Sequence, residues 1–228
     1  MVRNSSSAAR PTTSASNCES GALSQGKIVR VGRRLMEQSG VESITMRRMA
    51  AEMGVTAMAL YRHVPDKKAL IGLIADAVVG EVGYPGADFG PWHVRFREAL
   101  LTTHREIMRY PGLGLYIWGP QGFYPSGMTK FHASMRLLVE AGFDESEALN
   151  AIYLVTTYEG GYFLTEKNAN ELFETPESIP PNTIARIEFE TGNEWPAHNE
   201  NFRAFLLGLD TIIAGLRAQL AAKTGHLD

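Results

Sequence analysis

The chain contains very little cysteine: among its 228 residues only Cys18 carries a thiol, and it lies in a polar N-terminal stretch. One thiol cannot form an internal disulfide, so a disulfide-stapled scaffold is excluded and a reducing compartment such as the cytoplasm is expected. Long apolar runs are also missing, and we find no unbroken stretch of the length that a membrane span needs. We therefore expect a soluble protein. Alternating strand patterns are scarce, which predicts an all-α fold.

The motifs of common enzymes are missing too. The chain has no nucleophile elbow, no His-Glu-x-x-His zinc motif and no phosphate-binding loop, and its acidic residues are scattered rather than paired. We therefore expect no catalytic residues, no cofactor and no metal site.

The formal net charge of −3 combines two regions of opposite sign. Residues 1–82 contain 11 Lys and Arg against 7 Asp and Glu, a balance of +4. Residues 83–228 contain 11 against 18, a balance of −7. A basic head on an acidic body suits a protein that contacts nucleic acid at one end, although an imbalance of this size can arise by chance.

Composition divides the chain into segments. Residues 1–23 are rich in Ser, Thr, Ala and Asn, which predicts a disordered arm or, alternatively, an arm that contacts DNA. We expect a helical DNA-binding domain at 24–70 and a larger helical domain at 71–228, with 66–82 as the connecting helix. The Asn-, Glu- and Pro-rich segment 168–198 predicts a long loop or partly ordered excursion. Helices are predicted at 24–38, 91–109, 112–118, 125–141, 144–166 and 199–223.

Residues 44–70 carry the pattern of a helix-turn-helix. Thr45 and Thr56 can each cap a short helix with the side-chain hydroxyl, and Gly54 stands where the chain must reverse. Met46, Met49, Ala50 and Met53 have the spacing of one buried face. The second helix directs its remaining side chains outward, as a helix that enters the DNA major groove would. Lys27, Arg30, Arg33 and Arg34 of the first helix could lie over the DNA backbone or simply face solvent.

The run Leu60-Tyr61-x-His63-Val64, followed by Lys67 and Leu70, resembles the DNA-binding segment of the tetracycline-repressor (TetR) family. This resemblance covers residues 24–82. The body is similar to the C-terminal domain of the tetracycline repressor itself, through Trp92, Gly142-Phe143 and the helical pattern between Phe205 and Leu220. The resemblance implies a homodimeric transcriptional regulator that binds a palindromic double-stranded DNA operator and responds to a small molecule.

The resemblance also implies roles for single residues in the head. Lys67, Tyr61 and His63 match the phosphate-contacting positions of the family, although the two rings could instead pack between helices. Independently, Arg62 is the best candidate to read a guanine edge, and Thr56 and Met58 can contact a thymine methyl group or a phosphate. The predicted DNA interface is completed by Thr45, Arg47 and Ala57.

The body contains many aromatic residues and methionines, most of which are expected in its core. The density between Met108 and Met135 nevertheless favours a cavity for a largely apolar, aromatic effector. His104 or Tyr158 would fix the polar end of that effector, although a single buried histidine is more often a core residue. The candidate effector-binding residues are His104, Met108, Tyr116, Trp118, Phe123, Phe131, Met135, Tyr158 and Tyr162.

Magnesium–tetracycline is not the expected effector. Counting from Trp92, the metal-holding histidine of the tetracycline repressor falls at about Tyr116, and its adjoining Thr-Arg pair near Gly119-Pro120. A further drug-holding histidine aligns near Val82. A neutral phenol is a poor magnesium ligand, and valine donates no hydrogen bond.

Two glycine-containing segments are expected to bring helices together. Glu159-Gly160-Gly161-Tyr162 should interrupt a helix, since each glycine costs about 1 kcal/mol there relative to alanine. With residues 205–220 this segment would form the four-helix dimer interface that the resemblance implies, with Gly208 and Gly215 allowing close approach. The same apolar stripe could also serve an intramolecular core. It comprises Leu206, Leu209, Ile212, Ile213, Leu216 and Leu220.

These observations predict a ligand-responsive transcriptional regulator, most simply a repressor. An effector in the body would favour a state in which the two heads no longer fit successive major grooves. Two rival interpretations remain: an architectural DNA-binding protein without a ligand, and an all-α enzyme with a vestigial helix-turn-helix.

Overall fold

The computed structural model describes residues 23–118, 124–172 and 198–225. These residues form nine α-helices and no strand, which confirms the all-α prediction. Short 3-10 helices, which the sequence did not predict, precede α2 and α5 at Val41–Ser43 and Ala87–Phe89. The α-helices are α1 Gln25–Ser39, α2 Met46–Met53, α3 Ala57–Tyr61, α4 Lys67–Glu81, α5 Trp92–Met108, α6 Leu113–Trp118, α7 Pro125–Ala141, α8 Glu145–Leu172 and α9 His198–Thr224.

Helix ends follow the capping chemistry of the sequence. The Ser24 hydroxyl accepts a hydrogen bond from the Lys27 amide, and the Asp66 carboxylate accepts one from the Ala69 amide at 2.7 Å. Gly142 ends α7 in the left-handed region with φ of 112°, where a side chain would be strained. Most predicted helix bounds therefore lie within one residue of the observed ones.

Helix α8 departs from the prediction, because it continues to Leu172 without a break at Gly160-Gly161. The space beside the Cα atom of Gly160 is filled by Trp118, because a Cβ atom on Gly160 would lie 3.0 Å from Cδ1 of that ring. The glycine thus admits a ring from α6 rather than interrupting the helix.

Two hydrophobic cores run through the described residues. The first joins α1–α4 to Ile107, Tyr110, α6 and Phe163. The second is built from α5, α7, α8 and α9. Every buried apolar residue of α4 belongs to the first core, so the core of the head continues past residue 70 into the body.

Several sequence predictions lie outside the described residues. They concern the arm at residues 1–22, the aromatic segment 119–123 with Phe123, and most of the predicted loop, residues 173–197.

One helix is long and apolar enough to cross a membrane by length and composition, namely Phe202–Lys223 of α9, with 28% of its apolar window buried. It is not an unbroken apolar run, because Arg203, Asp210 and Arg217 interrupt it. Core helices of other proteins pass the same test, and Phe205 and Leu209 of this helix are fully buried in the second core.

Candidate DNA interface and effector site

The turn of the helix-turn-helix is built as its sequence predicts. The Thr45 hydroxyl accepts a hydrogen bond from the Arg48 amide at 3.1 Å, and the Thr56 hydroxyl accepts one from the Ala59 amide at 3.2 Å. Gly54 has φ of 68° and ψ of 33°, a left-handed conformation that glycine adopts without strain. The turn therefore fixes α3 across α2, whose four predicted core residues are all buried.

Helix α3 presents one apolar side to the core and one free side to solvent. Leu60 is fully buried, whereas the side chains of Met58 and Tyr61 are 69% and 48% exposed. Arg62 and His63, which follow the helix, are also exposed. The predicted outward position of Ala57 is only partly correct, because this residue is half-buried and packs against the first core.

Other candidate DNA contacts surround this free side. Thr45 and Arg47 are exposed at the start of α2. Lys67 stands at the first position of α4, where the unpaired amides of the helix terminus also attract anions. The Lys67 ammonium lies 3.6 Å from the Glu42 carboxylate. A phosphate that binds Lys67 would therefore compete with Glu42, a partner that the sequence did not reveal.

The predicted basic face of α1 does not stay free in this structure. Arg33 donates hydrogen bonds to the Tyr110 hydroxyl at 2.9 Å and to the Glu106 carboxylate at 3.0 Å, and it also pairs with Glu81. Arg34 pairs with Glu52 at 2.7 Å. Arg33 thus connects the head to α5, and only Arg30 of this face is exposed without a hydrogen bond or ion pair to a described residue.

Head and body are also joined through their backbones. The Val41 amide donates to the Pro111 carbonyl at 2.9 Å, and a Cβ atom on Gly112 would meet Cγ1 of Val41 at 2.7 Å. Arg109 reaches Glu37 of α1 at 2.8 Å. The junction between α5 and α6 is therefore held against the first helix of the head.

His104 lies where the two cores meet, with its side chain fully buried. Its ring stacks on Phe205 with centroids 3.9 Å apart and an interplanar angle of 15°, and it lies 5.1 Å from Phe163 and 5.2 Å from Tyr162. Neither ring nitrogen has a hydrogen-bond partner among the described residues. Burial, with a smaller effect of the Arg105 charge, lowers the pKa of His104 to about 4, so the imidazole is neutral near neutral pH.

A further buried polar group, Glu159, was missed at the sequence level, whereas Trp118 was among the predicted effector residues. Glu159 is 2% exposed, and its Oε1 has no partner among the described residues. Burial raises the pKa of Glu159 to about 8. Trp118 Nε1 is buried without a partner as well, and its ring lies 5.6 Å from that of Phe163. An acidic residue inside an apolar helix face was the signal in the sequence for Glu159.

The remaining effector candidates divide between the two cores. Met108, Tyr116 and Trp118 pack against the first core, Phe131, Met135 and Tyr158 against the second, and Tyr162 against both. The Tyr158 hydroxyl is less available to an effector than predicted, because it donates to the Phe205 carbonyl at 3.0 Å and packs closely on Gly208. The described residues contain no cluster of three or more side chains suited to a metal ion.

The predicted dimer stripe is largely an intramolecular core. Leu209, Ile213, Leu216 and Leu220 are buried within the second core. Leu216 and Leu220 also line a groove between α8 and α9. Leu206 and Ile212 are half-buried. Helical periodicity identified an apolar face correctly, but it could not show which surface covers that face.

A different set of apolar side chains is exposed on α8 and α9. Tyr153 and Leu207 are 72% and 71% exposed, and Leu149, Leu154 and Leu164 are about half exposed. A groove of about 490 Å³ lies between the two helices, lined in part by Leu154, Ile212 and Leu216. None of the candidate effector residues lines this groove.

A helix-turn-helix head with a free second helix, joined to a helical body that holds unpaired polar groups among aromatic rings, defines a one-component DNA-binding regulator. The chain belongs to the TetR family. Residues 28–74 match the family described as bacterial regulatory proteins, tetR family, and residues 84–220 match the tetracyclin repressor-like C-terminal domain. The chain is therefore a ligand-responsive, DNA-binding transcriptional repressor of this family.

Known relatives are similar to this chain over most of its length. Tetracycline repressor protein class A from transposon 1721 of Escherichia coli is 30% identical over 208 residues, which are 85% of this chain and 90% of that protein. The Streptomyces coelicolor TetR family protein ActR in complex with actinorhodin is 25% identical, with a TM-score of 0.68 over 88% of this chain and 99% of ActR. BioQ with its double-stranded DNA operator is 19% identical and shares the fold, with a TM-score of 0.60 over 86% of this chain and 99% of BioQ.

Proposed function

We propose that two copies of this repressor bind a palindromic DNA operator through α3 and that a largely apolar, aromatic molecule bound beside His104 releases them. The observation that carries this proposal is the free face of α3, where Met58 and Tyr61 are exposed although neither residue gains from contact with water. Contact with a DNA groove would bury both side chains.

The DNA-contact residues would divide by chemistry. Arg62 is exposed beside α3 and can donate two hydrogen bonds to a guanine edge, while Met58 can contact a thymine methyl group. Lys67, Tyr61 and His63 would contact phosphates, with Thr45, Arg47, Thr56 and half-buried Ala57 around them. These contacts position the helix, whereas Arg62 supplies sequence preference.

The effector would bind where His104, Glu159 and Trp118 hold buried polar atoms without partners. Leaving such atoms unpaired costs about 1–3 kcal/mol each, which a ligand with matching groups would recover. A magnesium–tetracycline complex does not suit these residues, because a neutral imidazole beside aromatic rings offers no set of oxygen ligands.

Helix α6 would carry the ligand signal to the head. Gly114 and Trp118 of α6 pack against Phe163 and Gly160 of α8, next to His104. The other end of α6 begins just after Pro111, whose carbonyl binds Val41 of the head. An effector shifts the population of head positions only as far as it binds the two arrangements differently.

Dimerisation would use the exposed apolar side chains of α8 and α9, together with Ile212, Leu216 and Leu220 of the predicted stripe, which line the groove between these helices. Tyr153 and Leu207 would enter the interface, and a second copy would cover the groove between the helices. Curated relatives of the chain are transcriptional repressors, so we propose a regulatory role in the bacterial cytoplasm without catalytic activity. The unpaired polar atoms of the body favour a ligand over a purely architectural protein.

The DNA-binding mode is tested with a selected operator duplex and its base-substituted forms, by fluorescence anisotropy over a salt series. Lys67→Ala should weaken binding to all sequences alike and reduce the salt slope by about one unit. Arg62→Ala should relax base preference at one position per half-site, at a cost of about 1–3 kcal/mol. Glu42→Gln removes the competitor of Lys67 and should tighten binding slightly. Unchanged affinity and preference in both Lys67→Ala and Arg62→Ala would overturn this docking.

A further inference from the structure

The charge around His104 restricts what can bind there, provided that the proposed effector site is correct. Glu159 lies three and four residues before Tyr162 and Phe163, so it shares their face of α8. The rings of both residues lie within 5.2 Å of the His104 ring. Glu159 is therefore a carboxyl group at the edge of the aromatic cluster.

No positive charge of the described residues balances this carboxyl group. Oε1 of Glu159 has no hydrogen-bond partner, and burial alone shifts its pKa, without a contribution from a neighbouring charge. His104 is neutral, and Arg105 beside it is exposed. A negative ligand would thus find no cation to balance its charge, whereas a positive ligand would find a carboxyl group that can ionise beside it.

The rings around the site favour a cation as well. Aromatic faces carry negative charge density and attract cations, most strongly where water is excluded. The His104 ring is nearly parallel to those of Phe205, Phe163 and Phe202, at interplanar angles of 15°, 28° and 24°. Such a stack shows that flat rings pack face to face here, and a planar polycyclic ligand would use the same contact by displacing one of these side chains.

We infer that the effector is a planar, polycyclic aromatic molecule that carries a protonated amine, with Glu159 as its counter-ion. On binding, Glu159 releases its proton to solvent and its carboxylate pairs with the amine, while the ring system stacks in the cluster around His104. The Trp118 indole N–H donates to an acceptor on the ring system. The acidic body, with its balance of −7, attracts the same class of ligand over longer distances.

Three tricyclic probes of nearly equal shape separate charge from ring size: the cation 9-aminoacridine, neutral acridone and the anion acridine-9-carboxylate. Titration calorimetry near neutral pH and without DNA, into which acridines intercalate, should show the cation binding at least about tenfold more tightly than acridone. The anion should bind most weakly. Equal or tighter binding of acridone or of the carboxylate, or no binding of 9-aminoacridine, overturns the inference.

Glu159→Gln supplies the matched test, because it keeps the shape and removes the ability to ionise beside a bound cation. It should weaken 9-aminoacridine by about 100-fold and leave acridone within about twofold, since only the cation loses a buried partner. Glu140→Gln, an exposed change on α7, should alter neither. Equal affinity of parent and Glu159→Gln for the cation would remove Glu159 from the site.

The inferred charge of the effector can be refuted while the proposed effector site stands. Binding of acridone that is lost in His104→Phe, together with weak binding of the cation, would support the effector site and overturn only its charge. Operator binding is measured without any probe, so it tests the role of α3 independently of the effector site.

Discussion

Burial sets the ionisation of Glu159 and His104 in opposite directions. The pKa of Glu159 rises from 4.5 to about 8 and that of His104 falls from 6.5 to about 4, chiefly because both groups lose their hydration. Both residues are therefore predominantly neutral at neutral pH, and ionising either one in the folded chain costs free energy. The stability of the protein depends on pH for this reason.

The two pKa shifts determine whether the free energy of unfolding rises or falls with pH. Folded Glu159 keeps its proton up to about pH 8, whereas the unfolded chain loses it near 4.5, so the free energy of unfolding decreases as pH rises through this range. His104 acts in the other direction, because its contribution is lost as pH falls from 6.5 to about 4. The two effects oppose each other most strongly below pH 6.5, and Glu159 has the larger effect above it.

We expect the free energy of unfolding to fall by roughly 1 kcal/mol per pH unit between pH 6.5 and 8, somewhat less than a full proton difference would give, because both groups titrate partly within this range. Glu159→Gln should abolish this slope, because the amide does not titrate. Urea unfolding followed by circular dichroism at several pH values measures it, with the exposed Glu140→Gln as the control. A slope that persists unchanged in Glu159→Gln would show that this carboxyl group is not the cause.

Among the elements, α1 and the α5–α6 junction form the tightest polar connection between head and body. Arg33 reaches Tyr110 and Glu106, and Tyr110 donates in turn to Glu106 at 3.3 Å. Arg109 binds Glu106 from the other side at 3.1 Å. Because Glu106 is half-buried, removal of one partner leaves its charge incompletely solvated.

Arg33→Ala should lower the free energy of unfolding by about 2 kcal/mol, since it leaves Glu106 and the Tyr110 hydroxyl short of a donor. Arg34 lies next to Arg33 on α1 and forms an exposed ion pair with Glu52 of α2. Arg34→Ala removes this pair and should lower the free energy of unfolding by about 0.5 kcal/mol or less. Chemical denaturation of the two variants gives the comparison. Equal losses would mean that the Arg33 network contributes no more than a surface pair.

For the whole molecule, the exposed apolar side chains of α8 and α9 require a partner surface. An unpaired face with Tyr153, Leu154 and Leu207 is unusual for a monomer. The long helix α9 covers the second core with one side only, which also explains why its composition passes a membrane test. A second copy that binds there would bring two heads together, as a palindromic operator requires.

Tyr153→Glu and Leu207→Glu should therefore give monomers that remain folded, whereas the parent is a dimer in sedimentation experiments. Val139→Glu, which places the same charge at an exposed position of α7, should leave the dimer intact. By contrast, Leu209→Glu or Ile213→Glu buries a charge in the second core and should unfold the chain. Dimers that survive both Tyr153→Glu and Leu207→Glu would place the interface elsewhere.

Short-range chemistry was predictable from the sequence. Thr45, Thr56 and Asp66 cap their helices because a side-chain oxygen reaches an amide three residues ahead, and Gly54 turns because it lacks a Cβ atom. The exposure of Met58 and Tyr61 followed from the same local periodicity. Such features depend on a few neighbouring residues, so the sequence by itself determined the head, its turn and the outward side of α3.

Contacts between distant segments were decided only by the tertiary structure. The sequence could not show that Trp118 fills the space at Gly160, that Arg33 binds Glu106, or that Leu209 and Ile213 face their own core. It identified His104 but missed Glu159, because an unpaired carboxyl group is recognised by what surrounds it. Periodicity defines an apolar face, whereas the packing of α5, α6, α8 and α9 decides which faces become core, effector site or free surface.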